Sequence, residues 1–166
     1  MTLGENIALP IREYNDLPED YIQNLVRIKL AMVDLAGYEN HLPSQLSGGM
    51  KKRAGLARAM AMNPAILFFD EPSAGLDPLS SAGLDDLILH LNRTLGTTMV
   101  IVTHELDSIF TIGQRAIMLD RQSKGIIAGG PPLELKDNSD NEYVRNFLNR
   151  QLPEVRNERP ATPVDA

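Results

Sequence analysis

Residues 46–78 read LSGGMKKRAGLARAMAMNPAILFFDEPSAGLDP, and this stretch changes its apolar period twice. From Ser47, whose hydroxyl can cap a first helical turn, the apolar residues Met50, Ala54, Leu56, Ala57 and Met60 recur at helical spacing. Asn63-Pro64 ends that helix, because a proline disfavours the α conformation of the residue before it. Ile66, Leu67, Phe68 and Phe69 then form a continuous apolar run, as expected of a strand buried on both faces. The run ends in two adjacent carboxylates, Asp70 and Glu71. A turn follows, and Pro78 can open a further helix over 79–95 with Leu84, Leu87, Ile88 and Leu91 inward. Helix, strand and helix in alternation predict an α/β layer structure with a mainly parallel sheet.

Outward from this stretch the pattern continues. Upstream, residues 1–18, with Pro10 and Pro18, are expected to be irregular or to form an edge segment. From residue 19, Ile22, Leu25, Val26, Leu30 and Val33 recur at helical spacing, and Gly37 suits the C′ position that ends such a helix. Residues 41–45 form a polar turn containing Pro43. Downstream, Met99-Val-Ile-Val102 is a second apolar strand, with a short helix near 105–112 after it. Residues 116–119 and 125–128 flank Arg121-Gln-Ser-Lys124 and predict a hairpin. A last helix over about 142–150 precedes a polar, Pro-containing tail from residue 153, expected to be disordered.

The bulk properties narrow the function classes. At 166 residues the length suits one ordinary domain, and 43% hydrophobic with 23% charged residues is a globular composition. No apolar run approaches the roughly 20 residues needed to cross a bilayer. The opening MTLGENIALPIRE lacks the basic start and apolar core of a secretory peptide, so a cytoplasmic chain is expected. With no cysteine, disulfides and thiolate metal sites are excluded. A net charge of −6 argues against an extended nucleic-acid footprint, which needs a basic face.

Four short segments carry candidate chemistry. Leu46-Ser47-Gly48-Gly49 opens a helix with a hydroxyl, two small residues and a positive dipole end, which suits an anion as well as a plain N-cap. Asp70 and Glu71 leave charge at the end of a buried strand. A magnesium ion would account for one and an attacking water for the other, unless the strand simply emerges into a solvated acidic turn. Ser73-Ala74-Gly75-Leu76-Asp77-Pro78 is by itself an ordinary turn with an N-cap. Thr103-His104-Glu105 sets a histidine at the end of the second apolar strand, either structural or catalytic.

Taken in order, these segments together with MVIVTHEL at 99–106 resemble the nucleotide-binding domains of ABC ATPases over about residues 1–150. The resemblance matches Leu46–Met50 to the ABC signature, 66–70 to the Walker B strand, 73–77 to the D-loop and His104 to the switch histidine. It implies that Asp70 holds Mg²⁺, through a coordinated water, and that Glu71 polarises the attacking water. His104 would contact the γ-phosphate of ATP. Ser47, Gly48 and Gly49 would meet a nucleotide held by a second ABC ATPase subunit in a head-to-tail dimer, with Asp77 near the seam. A membrane permease is the implied partner, reached from the inner face of the plasma membrane, with no nucleic acid and no membrane span of the chain's own. Met50 stands where the family has Gln. With Lys51-Lys52-Arg53 after it and MTLGENIALPIRE at the start, the variant resembles the ATPases of Mla-type lipid importers, which implies a phospholipid or other hydrophobic cargo.

No G-x-x-x-x-G-K-[ST] occurs in the 166 residues. The expectation is therefore an incomplete P-loop NTPase of ABC type, truncated at its N-terminus. It would have a helical signature part over about 1–62, a parallel-sheet core lacking the P-loop strand over 63–130, C-terminal helices over 131–150 and a tail over 151–166. Without backbone amides and a lysine around the phosphates, the chain alone is expected not to turn over MgATP. A missing strand would also leave apolar strand edges open and the fold poorly stable by itself. Two other readings stand beside a transporter ATPase: an inert remnant that lends its signature in trans, and a soluble ABC ATPase that does not serve transport.

Overall fold

A computed structural model describes residues 1–152, and the tail expected from residue 153 lies outside them. The chain divides into two compact units, Met1–Ile112 and a second beginning at Gly113.

The first unit begins with a helix where an irregular segment was expected. Helix α1 spans Leu3–Tyr14 with Pro10 inside it. Its start is fixed by a reciprocal cap: Glu5 N–H donates to Thr2 Oγ1 at 3.2 Å, and Thr2 N–H donates to Glu5 Oε2 at 2.7 Å. Leu3, Ile7 and Ile11, four residues apart, are almost wholly buried. Burial of three such side chains supplies about 5–9 kcal/mol, more than the about 3 kcal/mol a mid-helix proline costs. Tertiary packing therefore overrides the break that Pro10 signals. Gly4 on the same face lies so near the 38–41 loop that a Cβ would meet the Glu39 carbonyl oxygen at 3.1 Å.

Helix α2, Glu19–Ala31, buries Ile22, Val26 and Leu30 as its periodicity predicts. Its end differs from expectation. Asp34, not Gly37, takes the left-handed C′ position, with φ 58°. The Leu35 N–H reaches back to the Leu30 carbonyl at 2.8 Å, and the Asp34 N–H reaches that of Ala31 at 3.2 Å. That pair of bonds is the Schellman arrangement, and it buries Leu35 against the core. Gly37 keeps its positive φ of 86° in the next turn.

Helix α3, Gly48–Ala59, starts from Ser47, whose Oγ accepts from the Met50 N–H at 3.2 Å. Strand β1, Ile66–Asp70, pairs in parallel with β2, Thr98–Val102, in the register Ile66 with Thr98 to Asp70 with Val102. Between them helix α4, Pro78–Leu95, makes the crossover, closed by Gly96 at φ 64°. Helix α5, Leu106–Ile112, follows β2. The core joins Ile7 and Ile11 of α1, Val26 and Leu30 of α2, Leu56 of α3, Leu67 of β1, and Leu84, Ile88 and Leu91 of α4.

One expectation about β1 fails on this sheet. Leu67 is buried, but Ile66 is 51% and Phe68 76% exposed, and Val100 and Val102 of β2 are exposed on the same sheet. Two strands have helices of this unit packed against one face, and the other face stays open. The apolar run thus has one buried and one exposed side.

In the second unit, β3 (Ala116–Asp120) and β4 (Gly125–Gly130) form the expected antiparallel hairpin, with a register shift between Met118 and Leu119. Helix α6, Pro132–Asn138, packs on β4, and α7, Glu142–Leu148, packs on α6. The Asn149 side-chain amide donates to the Lys136 carbonyl at 3.0 Å.

Candidate active site

The carboxyl ends of the two parallel strands carry the candidate chemistry, as open α/β sheets favour. Asp70 is the last residue of β1 and lies opposite Val102 in the register. Glu71 leaves the strand with φ 48°, a left-handed backbone that a residue with a Cβ adopts at a cost of about 1–3 kcal/mol. Several bonds hold it there. Its N–H donates to the Val102 carbonyl at 2.9 Å, and its own carbonyl accepts from the Ala74 N–H at 3.3 Å and from Lys52 Nζ at 3.0 Å.

This turn aims the Glu71 side chain at the loop after β2. Oε1 lies 2.7 Å from His104 Nδ1, and Oε2 accepts from Thr103 Oγ1 at 3.3 Å. The Thr103 hydroxyl oxygen in turn accepts from the Glu105 N–H at 3.1 Å, which fixes the loop. The His104 hydrogen bond holds the Glu71 carboxyl below its ordinary range, with the His104 charge and Thr103 adding to it. Glu71 raises the histidine for the same reason, first by the bond and then by its charge. The His104 side chain is 74% exposed and that of Glu71 32%, so the pair faces solvent at the end of the sheet.

Gly48 and Gly49 lie beside Leu76 and Ser80 rather than beside this pair. A Cβ at Gly48 would lie 3.6 Å from Leu76 Cδ2, and one at Gly49 would lie 3.9 Å from Ser80 Cβ. Both are ordinary contacts, so packing within the chain does not demand glycine at either position. Asp77 caps α4: its Oδ1 accepts from the Leu79 N–H at 3.1 Å and the Ser80 N–H at 3.0 Å. A hydrogen bond from the Ser80 side chain, and then these main-chain bonds, hold the Asp77 carboxyl below its ordinary range. The basic run after the signature, which sequence alone leaves as a solvated face, has specific partners. Arg53 pairs with Asp34 at 2.6 Å and Lys52 with the Glu71 carbonyl. Lys52 and Thr103 are the site residues that sequence reasoning missed. Both bonds join positions far apart in the chain, and the sequence holds no local signal for them.

The site suits a hard divalent cation in one respect. Mg²⁺ is bound through one or two carboxylates together with waters and substrate phosphates, and Asp70 offers one exposed carboxylate at the strand end. Among the described residues, no cluster of three or more His, Cys, Asp or Glu is grouped as an all-protein metal cage.

Solved ABC ATPases share this fold. The cbiO1 protein of Clostridium perfringens, part of the cbiONQ ABC transporter complex, superposes with a TM-score of 0.75 at 27% identity, over 90% of this chain and 57% of that one. The ATP-binding cassette MJ0796, solved as a dimer with ADP and Pi, gives a TM-score of 0.67 at 30% identity, over 79% of this chain and 56% of that one. The family model for ABC transporters matches residues 2–74, and the relatives of this chain are ABC transporter ATP-binding proteins. It is 43% identical over 149 residues to the probable ribonucleotide transport ATP-binding protein mkl of Mycobacterium tuberculosis, covering 90% of this chain and 41% of that protein. It is also 41% identical over 148 residues to MlaF of Escherichia coli, the ATP-binding protein of an intermembrane phospholipid transport system, covering 89% of this chain and 54% of MlaF. The chain thus spans about half the length of the curated relatives it matches. Among the described residues, no helix is long and apolar enough to cross a membrane.

Proposed function

We propose that this chain carries the hydrolytic acid and histidine of an ABC transporter ATPase, with Glu71 orienting and polarising the attacking water. The observation that supports this most is the Glu71–His104 pair at 2.7 Å, held at the carboxyl ends of adjacent parallel strands. His104 contacts the γ-phosphate and stabilises charge developing there, since phosphoryl transfer depends on positioning and electrostatics. Asp70 would hold a magnesium ion, whose charge would neutralise that of the phosphates.

Ser47, Gly48 and Gly49 bind a nucleotide carried by a second subunit, head to tail, with Asp77 at the seam. Glycines that the chain's own packing does not require support this, because they leave the helix start open to a ligand. The partner is a membrane permease, at whose cytoplasmic face the chain sits. The likeness to MlaF favours a phospholipid cargo, and that to mkl keeps a ribonucleotide as the alternative.

The 166 residues contain no G-x-x-x-x-G-K-[ST], so on their own they do not turn over ATP. The test is a chimera in which the amino-terminal, P-loop-bearing part of MlaF is joined to this chain. It should hydrolyse ATP and lose at least about 10²-fold in turnover on Glu71→Gln. Equal turnover in the Gln variant would overturn the Glu71 assignment, whereas ATPase activity of the 166-residue chain that Glu71→Gln abolishes would overturn only the inactivity of the chain alone. Co-purification with a permease rather than with ribosomes or DNA separates transport from a soluble ABC role. If the chain instead only lends its signature, it will restore hydrolysis to a full-length subunit whose own signature is disabled, while the chimera stays inactive.

A further inference from the structure

We propose that Lys52 is a positioning residue for the Glu71 carboxylate, acting through the Glu71 main chain and tying it to the signature helix. The proposal rests on the reading of Glu71 as the group that polarises water, and it names the element that sets Glu71's aim.

Glu71 turns out of β1 in a left-handed conformation, at φ 48°, which a residue with a Cβ keeps where its surroundings over-determine it. Its N–H is fixed on the Val102 carbonyl at 2.9 Å. Its carbonyl oxygen is the other end of the lever. It accepts a 3.3 Å bond from the Ala74 N–H, at the long end of the range, and a 3.0 Å charge-assisted bond from Lys52 Nζ. The ammonium therefore makes the shorter of the two contacts that fix this carbonyl.

Without that bond the Glu71 Cα, which carries both the carbonyl and the side chain, is held less firmly, and the carboxylate loses its aim at His104 Nδ1, at 2.7 Å, and Thr103 Oγ1, at 3.3 Å. Lys52 stands on α3, five residues beyond its cap Ser47, and reaches across nineteen positions to Glu71. A shift of the signature helix is thus felt at the acid through one side chain. Neighbouring Arg53 anchors the same helix to Asp34 at 2.6 Å, so the helix that carries Lys52 is itself held.

The experiment reads the pair directly and needs no nucleotide. The chain has three histidines, so ¹⁵N-histidine labelling gives three ring systems, assigned by replacing His41 and His90 in turn. Above the histidine titration range, a Glu71 carboxylate at Nδ1 requires the neutral His104 ring to keep its proton there, whereas a free imidazole favours Nε2–H. Long-range ¹H–¹⁵N correlation measures the two tautomers. The wild-type chain should show His104 mainly as Nδ1–H, Glu71→Ala should reverse it, and Lys52→Met should move it most of the way to the Glu71→Ala value. Lys52→Arg, which keeps a charged donor, should restore the wild-type pattern. Should Lys52→Met not fold, Lys52→Gln takes its place, expected to lie between the two.

A His104 tautomer ratio unchanged in Lys52→Met or Lys52→Gln would overturn the proposal. So would a ratio in Lys52→Arg equal to that of Lys52→Met, because the donor would then be irrelevant. Failure of the Glu71 assignment appears separately, as undiminished turnover of the Glu71→Gln chimera.

Discussion

Asp77→Ala isolates what this aspartate does for the fold, apart from the role proposed for it at a dimer seam. Its Oδ1 accepts two main-chain N–H bonds, from Leu79 at 3.1 Å and Ser80 at 3.0 Å, at the start of an eighteen-residue helix. That helix buries Leu84, Leu87, Ile88 and Leu91 in the core, so the cap is coupled to global unfolding. The two N–H groups lie near the surface and regain water when the carboxylate goes. The loss is then the net value of a cap, about 1 kcal/mol and at most about 2. With a urea slope of about 1.5 kcal/mol per molar for a unit of this size, the midpoint should fall by about 0.7 M at unchanged slope. The pH dependence carries a sign. The folded state holds the Asp77 carboxyl below its ordinary pKa, so the contribution is complete above that ordinary value and disappears as pH falls through the lowered one. Urea melts of the wild type and of Asp77→Ala should therefore differ at pH 7 and converge towards pH 2–3. Asp77→Asn, a cap without charge, should lie close to the wild type at pH 7 and above both at low pH, because its contribution does not titrate. An Asp77→Ala midpoint within error of the wild type at pH 7 would refute the capping argument, and a gap that persists unchanged at low pH would refute its electrostatic part.

Two further outcomes follow from the same geometry. Asp85 and Ser108 are both buried, Ser108 Oγ donates to Asp85 Oδ2 at 2.7 Å, and Oδ1 has no hydrogen-bond partner. Burial raises the Asp85 pKa, so the folded state binds that proton more tightly and stability falls as pH rises from the ordinary aspartate value through the raised one. Ser108→Ala should cost about 1–3 kcal/mol in chemical melts, with a larger loss at pH 8 than at pH 4, because the missing bond stabilised the charged form. Phe68 is 76% exposed on the open face of β1, so Phe68→Glu should change the unfolding free energy by less than about 0.5 kcal/mol while lowering light scattering of the concentrated chain. Unchanged scattering would show that this face does not drive association.

The legibility of this protein divides by range. Elements whose ends are set by their own neighbours were readable from the residues: the Ser47 and Asp77 caps, the stop before Pro64, the Arg121–Lys124 turn and the apolar strands 66–69 and 99–102. The candidate acids and histidine were likewise visible, because charge at the end of an apolar strand is costly enough to stand out in one dimension. What the sequence could not decide depends on partners far along the chain. Pro10 sits inside a helix because Leu3, Ile7 and Ile11 find a core to bury in, and propensity alone counts only the local cost. Asp34 rather than Gly37 ends α2 because Leu35 is drawn back onto that core.

At the site the same division holds. Asp70, Glu71 and His104 could be named from their motifs, but the 2.7 Å contact between residues 33 positions apart exists because β1 and β2 pair in register. The bond from Lys52 to the Glu71 carbonyl has no sequence trace, since an isolated lysine on a helix is compatible with plain solvation. The sequence by itself determined which groups this chain carries and which local elements hold them. Tertiary structure decided which of them meet, because hydrogen bonds of about 3 Å between distant residues are set by packing and strand register rather than by neighbours in the chain.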